Sequence, residues 1–121
     1  MNFVFDNNSP IYIQLVEQLK ISIISGEIKS GERLASVREL ALKLKVNPNT
    51  LLKALVELED MGLIYTERTN GKFVTTNQDL IEKLRCEYAL EISKNYISSM
   101  ESIGFSFKDT VKYLNDLGGD N

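Results

Sequence analysis

The chain has 121 residues, with 14 Lys/Arg against 17 Asp/Glu, no histidine and one cysteine. That length suits one domain, or a small domain with an appendage. Without histidine, and with Cys86 lacking a base beside it, Ser-His and Cys-His nucleophile pairs and most zinc patterns are excluded. No glycine-rich phosphate loop occurs, so neither an enzyme nor a cofactor or metal site is expected.

No apolar run approaches the roughly 18–20 residues of a membrane span. The start, MNFVFDNNSP, lacks the basic and small-residue marks of a signal peptide. A cytoplasmic protein with a reduced, partly buried Cys86 is expected.

The net charge of −3 is unevenly placed. Residues 1–78 hold nine basic and nine acidic side chains, whereas 79–121 hold five and eight. Between 29 and 53, Lys29, Arg33, Arg38, Lys43, Lys45 and Lys53 face only Glu32 and Glu39, a local +4. Phosphate binding depends on local potential, so this half suits nucleic acid and the acidic half suits another contact.

In chain order, Ser9-Pro10 predicts a helix with Ser9 as N-cap and Pro10 first in the helix. Ile11, Leu15, Val16, Leu19, Ile23 and Ile24 form its apolar stripe, and Gly26 ends it. GEIKSGERL reads as a turn or short extended connection. Ser36-Val-Arg-Glu39 is a capping box for a short second helix that buries Leu40, Ala41 and Leu44. Asn47-Pro48 caps a third, with Leu51, Leu55 and Leu58 inward and a stop near Gly62. Two short helices joined by a tight turn outline a helix-turn-helix. LIYTERTNGKFVTT then reads as a hairpin around Asn70-Gly71, with Tyr12, Tyr65 and Phe73 assigned to the core.

From about residue 77 the helical period returns, through Leu80, Leu84, Tyr88, Ile92, Tyr96 and Met100. Gly104 breaks that helix, and Ser106-Phe-Lys-Asp109 caps a last one lined by Phe107, Val111 and Leu114. The winged helix has its own core, so Leu84, Tyr88, Ile92, Tyr96, Met100, Phe107, Val111 and Leu114 are expected to serve dimerisation. The expected fold is mainly α with a small β-hairpin: a winged helix-turn-helix over 1–76, then a two-helix C-terminal dimerisation segment over 77–121.

The stretch SPIYIQLVEQLKISIISGEIKSGERLASVRELALKLKVNPNTLLKALVELEDMGLIYTERTNGKFV, residues 9–74, resembles the winged-helix domain of the GntR family of bacterial transcription regulators. It follows that family's order of Pro-Ile-Tyr-x-Gln-Leu, Gly-x-Arg-Leu-x-Ser-x-Arg-Glu-Leu-Ala, Val-Asn-Pro-Asn-Thr and Leu-Glu-x-x-Gly-Leu-Ile. About 45 residues follow, which resembles the small YtrA-like subgroup, whose two C-terminal helices serve mainly for dimerisation. Three departures stand out. Ser30 and Ala35 replace prolines, a change expected to loosen the loop without touching a contact. Thr69 stands where the wing has a glycine, and Pro48 and Leu52 stand where other subgroups often place arginine.

The resemblance implies a homodimeric repressor on double-stranded operator DNA with an inverted repeat, controlling its own operon and nearby transporter genes; no effector is named by any residue pattern. Arg38 is the family's Ser-x-Arg arginine, which contacts DNA. Asn49 and Thr50 stand at the start of the recognition helix, where they can reach base edges, and Lys53 follows one turn later. Ser36, Arg33 and the wing's Arg68, Gly71 and Lys72 complete the expected DNA face. The competing reading is a winged-helix protein-interaction adaptor without specific DNA binding.

Overall fold

The computed structural model describes residues 2–118. Its elements run α1 (Ile11–Ile24), α2 (Val37–Leu44), α3 (Pro48–Asp60), β1 (Ile64–Glu67), β2 (Gly71–Val74), α4 (Gln78–Ser102) and α5 (Phe107–Gly118). Contacts divide the chain into two units, 1–85 and 86–121, with the boundary inside α4.

Local chemistry sets most of these ends. The Ser36 Oγ accepts the Glu39 N–H and opens α2; the Asn47 side chain accepts the Asn49 N–H and opens α3, with Pro48 in its first turn. Asn77 does the same for α4 through the Leu80 N–H at 3.1 Å. Ser106 opens α5 by accepting from the Asp109 N–H at 3.1 Å. Side-chain caps of this kind contribute about 1 kcal/mol each. The turn between α2 and α3 is closed by Lys45 in a left-handed conformation, φ 59°, with no glycine there.

At α1 the start shifts by one residue from expectation. Pro10, not Ser9, is the N-cap, and its carbonyl accepts the first helical N–H bonds from Ile13 and Gln14. Ser9 instead offers its carbonyl to Gln14 Nε2 at 2.6 Å, and Gln18 Nε2 holds the Val4 carbonyl at 2.9 Å. These bonds lay the N-terminal segment along the helix, with Phe3 and Phe5 against the core.

In the first unit α3 is the hub, packed on α1, α2 and β1. Leu51, Ala54, Leu55 and Leu58 are buried on its inner side against Leu15, Leu19 and Ile23 of α1 and Leu40, Ala41 and Leu44 of α2. Each such leucine contributes about 1.5–3 kcal/mol through loss of water contact. Ile11, expected in the α1 stripe, is exposed on the solvent side of the first turn, where its neighbour Tyr12 packs against the core instead. Leu80 and Leu84, in the opening turns of α4, also pack against this core.

The wing pairs β1 with β2 antiparallel, from Ile64 opposite Val74 to Glu67 opposite Gly71. Its loop has three residues, 68–70, rather than a two-residue turn at Asn70-Gly71. The Asn70 N–H bonds the Glu67 carbonyl and Gly71 follows with φ 101°, the arrangement of a tight turn closed by one left-handed residue. The connection before α2 adds a short third strand position: Gly31 N–H meets Val74 O, Val74 N–H meets Glu32 O, and Leu34 N–H meets Lys72 O. Tyr65, expected in the core, is exposed, on the solvent face of the hairpin, where it stacks on Phe73 at 5.6 Å.

Ser30 contradicts its expected passivity. Its hydroxyl donates to the Thr75 carbonyl and accepts from Gln78 Nε2, both at 2.7 Å, joining the connection to the start of α4. In the second unit Met100 and Thr110 are buried where α4 turns into α5 through Gly104, φ 97°. Phe105 meets the Tyr113 ring edge-on at 5.7 Å. Cys86, expected partly buried, is exposed, since it lies off the apolar face of α4.

Candidate nucleic-acid interface

Five of the nine residues expected to meet DNA are brought together by one cleft. Arg33, Ser36, Arg68, Gly71 and Lys72 line an open space of about 520 Å³ between the wing and the start of α2. The pairing of residues 31–34 with β2 explains this convergence, because it fixes Arg33 beside the wing. Gly71 is packed against that guanidinium, since a Cβ placed on it would lie 3.4 Å from Arg33 Nε, an ordinary contact distance.

Arg38 lies apart from this cleft, exposed in the first turn of α2. It lines a second groove, about 490 Å³, with Ala41, Leu42, Lys45, Val46 and Pro48, so it stands next to the start of the recognition helix α3. Asn49 is exposed there, and Thr50 is half-buried. Arg33, Arg38 and Arg68 form no ion pair among the described residues. Glu39 and Glu67 also line the first cleft, but no described carboxylate is within ion-pair distance of these arginines, so their charge is available to a phosphate.

The two lysines differ. Lys72 Nζ lies 2.9 Å from Thr66 Oγ1 and 3.7 Å from Glu59 Oε2. Lys53 sits 4.4 Å over the Tyr12 ring centroid, and the Tyr12 hydroxyl donates to Glu57. That bond, with some loss of solvent and the negative charge of Glu57, raises the Tyr12 phenol above its ordinary pKa. Tyr12 and Glu57 had no sequence signal as partners, being 45 residues apart.

The remaining outward face of α3 carries Leu52 and Val56, both exposed apolar side chains that sequence reading left unassigned. Their position follows from helical period: with Leu51, Ala54, Leu55 and Leu58 inward, Leu52 and Val56 must share the opposite side with Asn49. Among the described residues no cluster of three or more Cys, Asp or Glu side chains is placed to hold a metal ion. Nor is any described helix long and apolar enough to cross a membrane.

A helix-turn-helix with its second helix open at the N-terminal end, flanked by a hairpin and uncommitted arginines, defines a winged-helix DNA-binding regulator. Residues 11–74 match the model of the bacterial regulatory proteins of the gntR family, and the chain belongs to that family. A GntR family transcriptional regulator from Listeria monocytogenes has a similar structure, with a TM-score of 0.84 and 38% identity over 93% of this chain and 98% of that one. The transcriptional repressor YtrA of Bacillus subtilis is 44% identical over 71 residues, 59% of this chain and 55% of YtrA. The DNA-binding domain of AraR, solved in complex with its operator ORX1, matches with a TM-score of 0.54 and 27% identity, covering 60% of this chain and 93% of that one.

Proposed function

We propose that the chain is a cytoplasmic, homodimeric transcriptional repressor that binds an inverted-repeat operator. Residues 1–76 supply the DNA face, with Arg33, Ser36, Arg38, Asn49, Thr50, Lys53, Arg68, Gly71 and Lys72 in contact. Residues 77–121 supply the dimer contact. The observation that carries the reading is the apolar groove of the second unit. Ile92, Tyr96, Ile97, Phe107, Val111 and Leu114 line about 290 Å³, and Ile92 and Phe107 are each 63% exposed. Apolar surface of that kind on a regulator favours burial against a second copy. Met100 is buried and Leu84 partly buried within their own units, so the contact rests mainly on the groove residues and Tyr88.

YtrA's description as a repressor supports the sign of regulation, and AraR's complex with an operator supports docking of the winged helix on duplex DNA. Resemblance to the YtrA-like subgroup points to control of the protein's own operon and neighbouring transporter genes. A two-fold dimer reads half-sites about one helical turn apart, or a multiple of that.

Sedimentation equilibrium of wild type beside Val111→Glu, together with footprinting on operator DNA, tests the reading. Both side chains concerned, Val111 and its replacement, sit at an exposed position, so the fold is retained. A wild-type dimer, a monomeric variant and a symmetric two-half-site footprint are expected. A wild-type monomer, or protection of one unpaired half-site, contradicts it.

A further inference from the structure

Leu52 and Val56 are 44% and 47% exposed on the helix that faces DNA. Neither is needed for the core, which α3 reaches through Leu51, Ala54, Leu55 and Leu58. They stand four residues apart, and so form one stripe along the helix surface. Its ends are marked by charge. Pro48, one turn before Leu52, lines the groove of Arg38. Glu59, one turn after Val56, is paired with Lys72 of the wing. The other flank carries Lys53, exposed and lying over the Tyr12 ring, and Glu57, which accepts the Tyr12 hydroxyl. The face that α3 presents is therefore an apolar strip with the Asn49 amide and the neighbouring Arg38 at its leading end, and with the exposed Asp60 and Glu59, paired to Lys72, at its trailing end.

DNA offers a matching pattern. Phosphates flank the major groove, and within it thymine alone of the four bases carries an apolar group, the C5-methyl. A leucine side chain has no donor or acceptor to answer the N7 and O6 of guanine or the N4 amine of cytosine, so packing it there would desolvate those edges without replacement.

We propose that Leu52, supported by Val56, reads thymine methyl groups in the major groove and so sets the base preference at its position in each half-site. Asn49 contributes the neighbouring polar contact, and Arg38 beside the leading end holds the helix in register. This assignment rests on the reading of the chain as a sequence-specific DNA-binding dimer. It goes further by naming the residue and the chemical group it recognises.

Uracil differs from thymine at this edge only by the missing methyl group, which makes the test direct. Operator DNA is first obtained by selecting from a random duplex pool with the full chain. Each thymine of the half-site is then replaced by deoxyuridine, in both half-sites at once, and binding is measured for wild type and Leu52→Ala. Removal of one contacted methyl group per half-site weakens wild type by roughly fourfold per half-site, the worth of one buried methyl. Leu52→Ala binds the thymine and uracil forms of that position equally. Uracil sensitivity that persists unchanged in Leu52→Ala assigns the methyl contact to another residue and overturns the proposal. Wild-type binding indifferent to every uracil overturns it as well, while leaving sequence-specific binding intact. A pool that yields no enriched sequence overturns the underlying reading, and the proposal with it.

Discussion

Lys72 of the wing lies 3.7 Å from the carboxylate of Glu59 at the end of the recognition helix, a partly buried pair whose side chains are 20% and 35% exposed. Such pairs contribute about 0–1 kcal/mol to stability, so the pair does little to hold the wing in place. Its larger effect is electrostatic, because Glu59 offsets a cation on the proposed DNA face. Glu59→Gln is expected to tighten binding to unrelated duplex DNA about two- to fivefold at low salt. Urea unfolding of the same variant shifts stability by less than about 1 kcal/mol. Unchanged affinity would place Lys72 away from the phosphates.

Gly71 combines φ 101° with a guanidinium neighbour, Arg33. Alanine there meets the strain of a left-handed residue, while its Cβ makes only ordinary contact with Arg33. Gly71→Ala is expected to lower stability by about 1–2 kcal/mol. It should also weaken DNA binding, because relief of the φ strain reshapes the wing turn that carries Arg68 and Lys72. Thermal unfolding and anisotropy check the two effects separately; a variant with full stability and full affinity would remove Gly71 from the site.

Tyr12 ties α1 to α3 through Glu57, and its phenol is raised in the folded protein chiefly by that bond. The folded state thus favours the protonated phenol. The resulting stabilisation is complete below about pH 10, the ordinary phenol value, and is lost as pH climbs through the higher folded value. Wild type is expected to lose more stability on the alkaline limb than Tyr12→Phe, which has no proton to release. The phenylalanine ring still lies beneath Lys53, so the cation contact is kept. Denaturant unfolding from roughly pH 8 to pH 11 decides it, and parallel alkaline limbs would refute the coupling.

Ser30 joins the connection before α2 to the residues that open α4. Ser30→Ala removes two hydrogen bonds at a mostly exposed position, with an expected loss of about 0.5–1.5 kcal/mol in urea unfolding. No loss would mean that water replaces both bonds fully.

What could be read before folding was mostly local. Ser36, Asn47 and Ser106 act on N–H groups two or three residues away, so their helices start where their sequence says. The inward stripe of α3 follows from period alone. What could not be read was non-local. Ser30 and Gln78 are 48 residues apart, and no pattern in either segment announces their bond. The same holds for Tyr12 and Glu57, which decide where Lys53 sits. Exposure was the other blind spot: Tyr65, Ile11 and Cys86 have the composition of interior residues but lie at the outer face of a two-stranded wing, in a first turn and off an apolar stripe. Of the proposed DNA face, Arg38 and Asn49 could be named from motif and cap alone, whereas the arrival of Arg33 at the wing depended on strand pairing across the sequence.

The most direct test of the DNA face is fluorescence anisotropy on selected operator DNA, wild type beside Arg38→Ala, at a series of salt concentrations. Arg38→Ala is expected to lose about 1–3 kcal/mol of binding. Wild type should show a log–log salt slope of roughly −5 to −7, as for six to eight phosphates per dimer. A wild type that binds selected and random DNA alike, or an Arg38→Ala variant with the affinity and salt slope of wild type, would contradict it.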